Sequence, residues 1–191
     1  MPIGRTRDIL RGLRARSGHP ADVTMPLRIG AATLDAAIVR PLSERLAADG
    51  LGVVTGHAVR PGRDGDPRAA TLRLLLADPR RRTLETVGGM LSDLGAPLGS
   101  VLCFTETGVR HVFGRTEGLG LALPVARLTD DAIAACSGAL GSTGTFRAGP
   151  ADGTGPLLCF YGETYLAMER RLMRLAGRDP RFRPATFARL T

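Results

Sequence analysis

Apolar positions along this chain alternate between two spacings, and the order of those spacings runs twice. In the first half a short apolar run, Leu27 to Gly30, reads as a strand. It is followed by Leu34, Ile38, Leu42 and Leu46, four residues apart as one buried helix face requires. Thr33 stands where an N-cap belongs, and Gly50 and Gly52 stand where the helix should close. Pro41 interrupts the pattern and predicts a kink or one loosened turn. Val53 to Val59 and Ala69 to Ala77 read as strands, the second with Leu72, Leu74 and Leu76 on one face. A long turn, Arg60-Pro61-Gly62-Arg63-Asp64-Gly65-Asp66-Pro67, joins them. A helix from about Arg81 to Leu94 buries Leu84, Val87, Leu91 and Leu94, and Ser100 to Phe104 closes the unit as a strand.

The second half repeats this order. Residues 105 to 117 form the connection, with Val109 to Phe113 as an added edge strand. Leu119, Leu121 and Leu123 alternate on a strand face, and Thr129 caps a helix that starts Asp130-Asp131, the charge favoured at that end. Thr143 to Arg147 and Leu157 to Tyr161 form a hairpin. Tyr165 to Ala176 is a helix with Tyr165, Met168, Leu172 and Leu175 in register; Gly177 stops it, and Pro184 to Leu190 supplies the last strand.

Strand, helix, hairpin, helix, strand is the order of a ferredoxin-like sandwich. The expected fold class is α+β, with two tandem ferredoxin-like βαββαβ units and antiparallel sheets. The first unit is expected over residues 25–105 and the second over 117–191, with a connector at 106–116 and a basic arm at 1–24. A constant offset links Leu75, Leu84, Met90 and Gly95 to Leu157, Leu166, Leu172 and Gly177, and Asp-Gly pairs at 64–65 and 152–153 mark both hairpins. Strands apolar on both sides, such as Leu74-Leu75-Leu76 and Leu157-Leu158-Cys159-Phe160, predict sheets covered on both faces. The other half is the nearest cover, and edge-to-edge and face-to-face packing both fit the sequence.

At 191 residues and 43% hydrophobic, the chain is long and apolar enough for a sizeable core. No run of about 18 apolar residues is present, and Met1 to Pro20 lacks the apolar centre of a secretory signal. A cytoplasmic location and no membrane partner are expected. The net charge is +8, and all 26 basic residues are arginine. A GC-rich genome explains that usage, yet the planar guanidinium still favours carboxylate and phosphate partners.

Residues able to do chemistry are sparse. Cys103, Cys136 and Cys159 are far apart and sit in apolar surroundings, as buried structural cysteines do. His19, His57 and His111 are isolated from one another and from any nucleophile. The Gly-Leu-Gly at 118–120 opens a strand rather than a phosphate-binding turn. No catalytic residue, cofactor or metal site is therefore expected. The candidates that remain are arginines. Arg60, Arg63 and Arg68 ride on a hairpin turn expected to exceed its counterpart around Asp152-Gly153 by several residues. Arg80, Arg81 and Arg82 open a helix whose exposed N–H groups already favour an anion. Arg170, Arg171, Arg174, Arg178, Arg181 and Arg183 gather at a helix C-terminus, where cations are stabilising without any ligand.

Four short pieces carry a resemblance: Val54-Thr55-Gly56, Leu94 to Ser100, Phe113 to Leu119, and Phe160-Tyr161-Gly162. With them the chain resembles an uncharacterised group of bacterial proteins found among immunity or accessory factors. His57-Ala58 stands where the similar proteins tend to carry glycines. The resemblance implies a small soluble binding protein that neutralises a toxin, with no catalytic residue. Three readings follow for function. The first is a non-enzymatic protein-binding module, immunity-like, that covers a partner's functional surface. The second is an RNA- or DNA-binding protein using arginine–phosphate contacts. The third is a small-molecule-sensing, ACT-like domain with its pocket between units or subunits.

Overall fold

The computed structural model describes residues 18–62, 65–124, 128–149 and 157–190. Among the described residues nine strands and four main helices follow the expected order. They are β1 His19–Met25, α1 (Ala31–Leu34, Asp35–Val39 and Arg40–Ala48 in continuous succession), β2 Gly52–Pro61, β3 Pro67–Leu76, α2 Arg81–Asp93, β4 Ser100–Phe104 and β5 Arg110–Phe113. The second unit contributes β6 Glu117–Ala122, α3 Asp130–Leu140, β7 Gly144–Ala148, β8 Leu157–Gly162, α4 Tyr165–Arg178 and β9 Thr186–Leu190. The strand orders are β2-β3-β1-β4-β5 in one sheet and β7-β8-β6-β9 in the other. All pairings within the two sheets are antiparallel. Leaving aside the edge strand β5, the two orders are the same, and each is that of a ferredoxin-like unit. The fold is α+β with two such units in tandem.

Local chemistry explains most element boundaries. In α1 the segment Asp35–Val39 is π-helical. Pro41 has no N–H to give the carbonyl four residues earlier, and its ring crowds that position, so the turn before it widens. This is the loosened turn the sequence predicts. Leu34, Ile38, Leu42 and Leu46 stay buried on one side nonetheless. Thr129 and Thr164 cap α3 and α4, their hydroxyls accepting from the backbone N–H of Ala132 and Ala167 at 3.2 Å each. The N-cap of α1 is Gly30, not Thr33. Gly177 does not stop α4, which continues to Arg178.

Three expectations are corrected. The first strand is not Leu27–Gly30 but His19–Met25, so residues 19–24 belong to the sheet rather than to a basic arm. Ala21, Val23 and Met25 are buried while Asp22 and Thr24 are exposed. That alternation is short and bounded by Pro20 and Pro26, which masked it. Residues 1–17 of the expected arm, and the Asp-Gly pair at 152–153, lie outside the described residues. Second, the turn expected from Arg60 to Pro67 is shorter than that, because Arg60, Pro61 and Pro67 belong to the ten-residue strands β2 and β3. Most of its counterpart, residues 150–156, lies outside the described residues. Third, the repeat is one of topology rather than of residue register. Leu84 and Leu91 are buried in α2, but their counterparts at the constant offset, Leu166 and Met173, are 54% and 53% exposed in α4. The buried positions of α4 are Met168 and Leu172.

The two sheets meet neither edge to edge nor face to face. On the second sheet Leu119, Leu121, Leu158 and Phe160 face their own helices. Ala148, Cys159, Tyr161 and Leu190 point the other way and join the core of the first unit, which includes Leu27, Ile29 and Ala96. The helix-free face of the second sheet is thus covered by the β1–α1 loop and the segment after α2. Polar contacts fix this seam. The backbone N–H of Arg28 donates to the Tyr161 hydroxyl at 2.8 Å. Arg147 Nη2 donates to the Leu94 carbonyl at the end of α2 at 3.2 Å, a favourable place for a cation. Thr116 Oγ1 donates to the Gly95 carbonyl at 3.0 Å. Burial lowers the Arg147 pKa and is the main force raising that of Tyr161, whose phenol stays neutral.

Two tests follow. Gly114 joins the units at φ 105°, and a Cβ there would overlap the Pro97 carbonyl. Gly114→Ala should cost more than about 2 kcal/mol in urea unfolding. For Tyr161 the folded pKa lies above the unfolded value near 10. Its contribution is complete below pH ~10 and is lost as pH rises toward the folded value. Tyr161→Phe should lower stability at neutral pH by roughly 1–3 kcal/mol, because a buried N–H loses its acceptor. The same variant should flatten the alkaline loss, read by urea titrations from pH ~8 to ~11.

Candidate functional site

Burial of one helix-free face leaves the other in view. Cross-strand register lines up two rows over the first sheet. One row runs Arg110, Cys103, Asp22, Arg73, Gly56 and the other Val112, Val101, Thr24, Thr71, Ala58. Directly paired residues share a side of the sheet, and these share the side away from α1 and α2. Val112 is 66% exposed; Val101 and Cys103 are half-buried beside it, while Asp22, Thr24, Arg73 and Arg110 are exposed. A third row, Pro20, Leu75 and Val53, is half-buried and apolar. The face therefore has a flat aliphatic part toward β4 and β5 with arginines around it. It carries no aromatic ring on which a base could stack. Phe104 and Phe160 are buried in the cores, and Tyr161 is in the seam between units.

The arginines singled out by sequence separate in space. Arg60 is exposed, and its register with Ala69 puts it on the open face in line with Arg73. Arg68, one residue before Ala69, projects from the opposite side of the same hairpin. Arg63 lies outside the described residues. Arg80, Arg81 and Arg82 stand at the start of α2 beside a shallow pocket of 250 Å³ lined by Asp78, Arg80, Arg82 and Thr83. That helix start already holds a carboxylate. Asp78 accepts from the Arg80 backbone N–H at 2.9 Å and from its Nε at 2.6 Å. The contact with Arg80 lowers the Asp78 pKa and raises that of Arg80. Arg81 pairs with Glu85 at 3.1 Å. Of the three, Arg82 alone keeps its guanidinium without a hydrogen bond or ion pair among the described residues, so the expected anion site is largely filled from within.

A groove of 330 Å³ runs between the units, lined by Pro26, Leu98, Gly99, Glu117, Arg189 and Leu190 among others. Its charges are occupied: Glu117 accepts from the Tyr165 backbone N–H at 2.5 Å and lies 3.5 Å from Arg189. Arg189 in turn sits over the Tyr165 ring. His111 lies flat against Phe113, next to Gly88 of α2, where a side chain would meet its ring. Cys136 and Cys159 are buried, and burial pushes the Cys136 thiol up to about 12, far from a reactive thiolate. Among the described residues no three His, Cys, Asp or Glu side chains gather to hold a metal ion, and no helix is long and apolar enough to cross a membrane.

Val101, Val112, Arg73 and Arg110 were not singled out by the sequence reading. Each stands at an alternating strand position, but only pairing register shows that they meet.

No family model and no curated protein matches the chain. Among solved structures, a complex of TiaS with a tRNA, AMPCPP and agmatine aligns with 81% of this chain and 56% of its own, at 13% identity and a TM-score of 0.33. This chain thus spans little more than half the length of that protein. The first two RRM domains of yeast poly(U) binding protein (Pub1) align with 90% of this chain and 99% of theirs, at 11% identity and a TM-score of 0.28.

The free and covered faces should respond oppositely to substitution. Val112→Ser or Thr24→Ala should change stability by less than ~0.5 kcal/mol. Cys159→Asp, on the covered face, should cost about 3 kcal/mol or more, because it buries an unpaired carboxylate. Thermal and urea unfolding of the three variants checks the contrast.

Proposed function

We propose that the protein is a non-enzymatic, immunity-like binding module that caps the functional surface of an acidic protein partner with the open face of its first sheet. The observation that carries this reading is the asymmetry of the two helix-free faces. One is buried in the seam between units, and the other lies open with aliphatic side chains at Val101 and Val112 and guanidinium groups at Arg60, Arg73 and Arg110. Apolar contact at the centre and charge at the rim is the ordinary division of labour in a protein interface. Arginine suits the rim because its fork pairs with carboxylates through two hydrogen bonds. With Asp22 the one acid in these rows and three arginines around them, the face itself is basic, and the whole chain at +8 steers acidic surfaces toward it. The resemblance of the four short pieces to bacterial immunity and accessory proteins supports the same reading.

The test is affinity capture from a native-host extract treated with nuclease, using the wild-type chain, the open-face double variant Val112→Asp/Arg73→Glu, and Arg82→Glu as a charge control. The expected result is a protein retained by wild type and by the control but lost with the open-face variant. Recovery should weaken as salt rises. If the open-face variant folds and captures the same protein as well as wild type, the partner docks elsewhere and the reading fails.

A further inference from the structure

Positive charge is not spread evenly along the chain. From Tyr165 onward there are seven arginines against two acids, a local charge of +5 within the chain's +8. Both acids are occupied: Glu169 accepts the Tyr165 hydroxyl at 2.7 Å, and Asp179 pairs with Arg181 at 2.7 Å. Between α3 and α4 this stretch forms a groove of 370 Å³ lined by Ala139, Arg171, Arg174, Leu175 and Arg178. Arg171 Nη1 donates to the Leu140 carbonyl at the end of α3 at 3.2 Å. Arg174 Nε donates to the Arg170 carbonyl at 3.3 Å, which leaves its two terminal nitrogens for the groove. No carboxylate answers Arg171, Arg174 or Arg178 among the described residues. A cation in the last helical turn is stabilising by itself, which accounts for Arg178 but not for Arg174, one turn earlier. Arg171, two turns earlier, is held by the α3 carbonyl through one of its terminal nitrogens.

We infer that this arginine groove is a phosphate-binding site for the backbone of a nucleic acid, separate from the open face of the first sheet. The three residues span about 10 Å of helix axis. A row of that length meets successive backbone phosphates, whereas a single phosphate is reached by only part of it. Arginine forks bind phosphate oxygens in pairs, and the absence of any aromatic side chain lining the groove removes base stacking. Binding is therefore sequence-independent and governed by counterion release. An acidic protein segment is the less favoured occupant, because only Ala139 and Leu175 line the groove between the guanidinium groups and offer little apolar anchor.

The experiment is fluorescence anisotropy of the full chain with a labelled mixed-sequence duplex of about 20 base pairs. Three neutralised phosphates predict an affinity loss of about fortyfold between about 50 and 200 mM salt. Arg174→Gln/Arg178→Gln leaves Arg171 and its bond to α3 in place and should reduce that dependence to about fourfold. Arg174→Lys/Arg178→Lys keeps the charge and should keep the steep dependence. Arg80→Gln/Arg82→Gln removes equal charge elsewhere and should behave as wild type. Absence of binding at low salt overturns the inference. So does an equal loss in the Arg80/Arg82 variant, which would mean diffuse charge, and so does displacement by polyglutamate as effective as by unlabelled duplex, which would mean an acidic polypeptide.

Discussion

A sheet with helices on one side must do something with its other side, and the second sheet here buries it against the first unit. Ala148, Cys159, Tyr161 and Leu190 enter the larger core, and Arg28, Leu94 and Gly95 supply the polar contacts around them. Gly118 and Gly120 leave room on this face for the side chains of the flanking strands: a Cβ at either would strike Leu190, and also Tyr161 or Leu157. Removing the seam would expose apolar strand positions along β6, β8 and β9. The second unit therefore depends on the first for half of its sheet.

The first unit enters the seam with its loops and not with its sheet. Nothing in the seam draws on the helix-free face of the first sheet, whose central strand carries Asp22 and Thr24 where β6 carries Gly118 and Gly120. Polar and charged side chains on a central strand stay satisfied only in water or against a partner that supplies matching groups. A duplicated fold has in this way acquired two different faces, one structural and one free. The edge strand β5 widens the free one by adding Arg110 and Val112.

Element order was legible because each helix repeats its apolar residues every three or four positions and each strand alternates. Thr129 and Pro41 act through chemistry confined to a few residues, so their effects are local and readable. Equivalence between the halves was less legible. Leu166 and Met173 resemble Leu84 and Leu91 by type and spacing, yet they lie on the outside of α4. The spacing within α4 itself picks out Tyr165, Met168, Leu172 and Leu175, and Met168 and Leu172 are the buried pair; it is the constant offset to the first half that points to the exposed side. β1 escaped notice because three buried residues between two prolines give too short a pattern. The open-face rows were out of reach for a different reason: Arg73, Asp22 and Arg110 are distant in sequence, and only antiparallel register places them side by side.

The arginines divide by what already surrounds them. Arg80, Arg81 and Arg189 have carboxylates in contact, Arg147 has a carbonyl at a helix end, and such groups hold the fold's own charges in place. An exposed pair of this kind contributes little to stability, but it withdraws a guanidinium from outside ligands, since a newcomer must first displace the resident acid. Arg73 and Arg110 on the open sheet, and Arg174 and Arg178 beside α3, have no such acid in contact among the described residues. No resident acid has to be displaced there, so a carboxylate or a phosphate meets only the ordinary costs of desolvation and side-chain ordering. Arginine content alone marks the chain as basic; the distribution of its internal acids picks out where that charge is available.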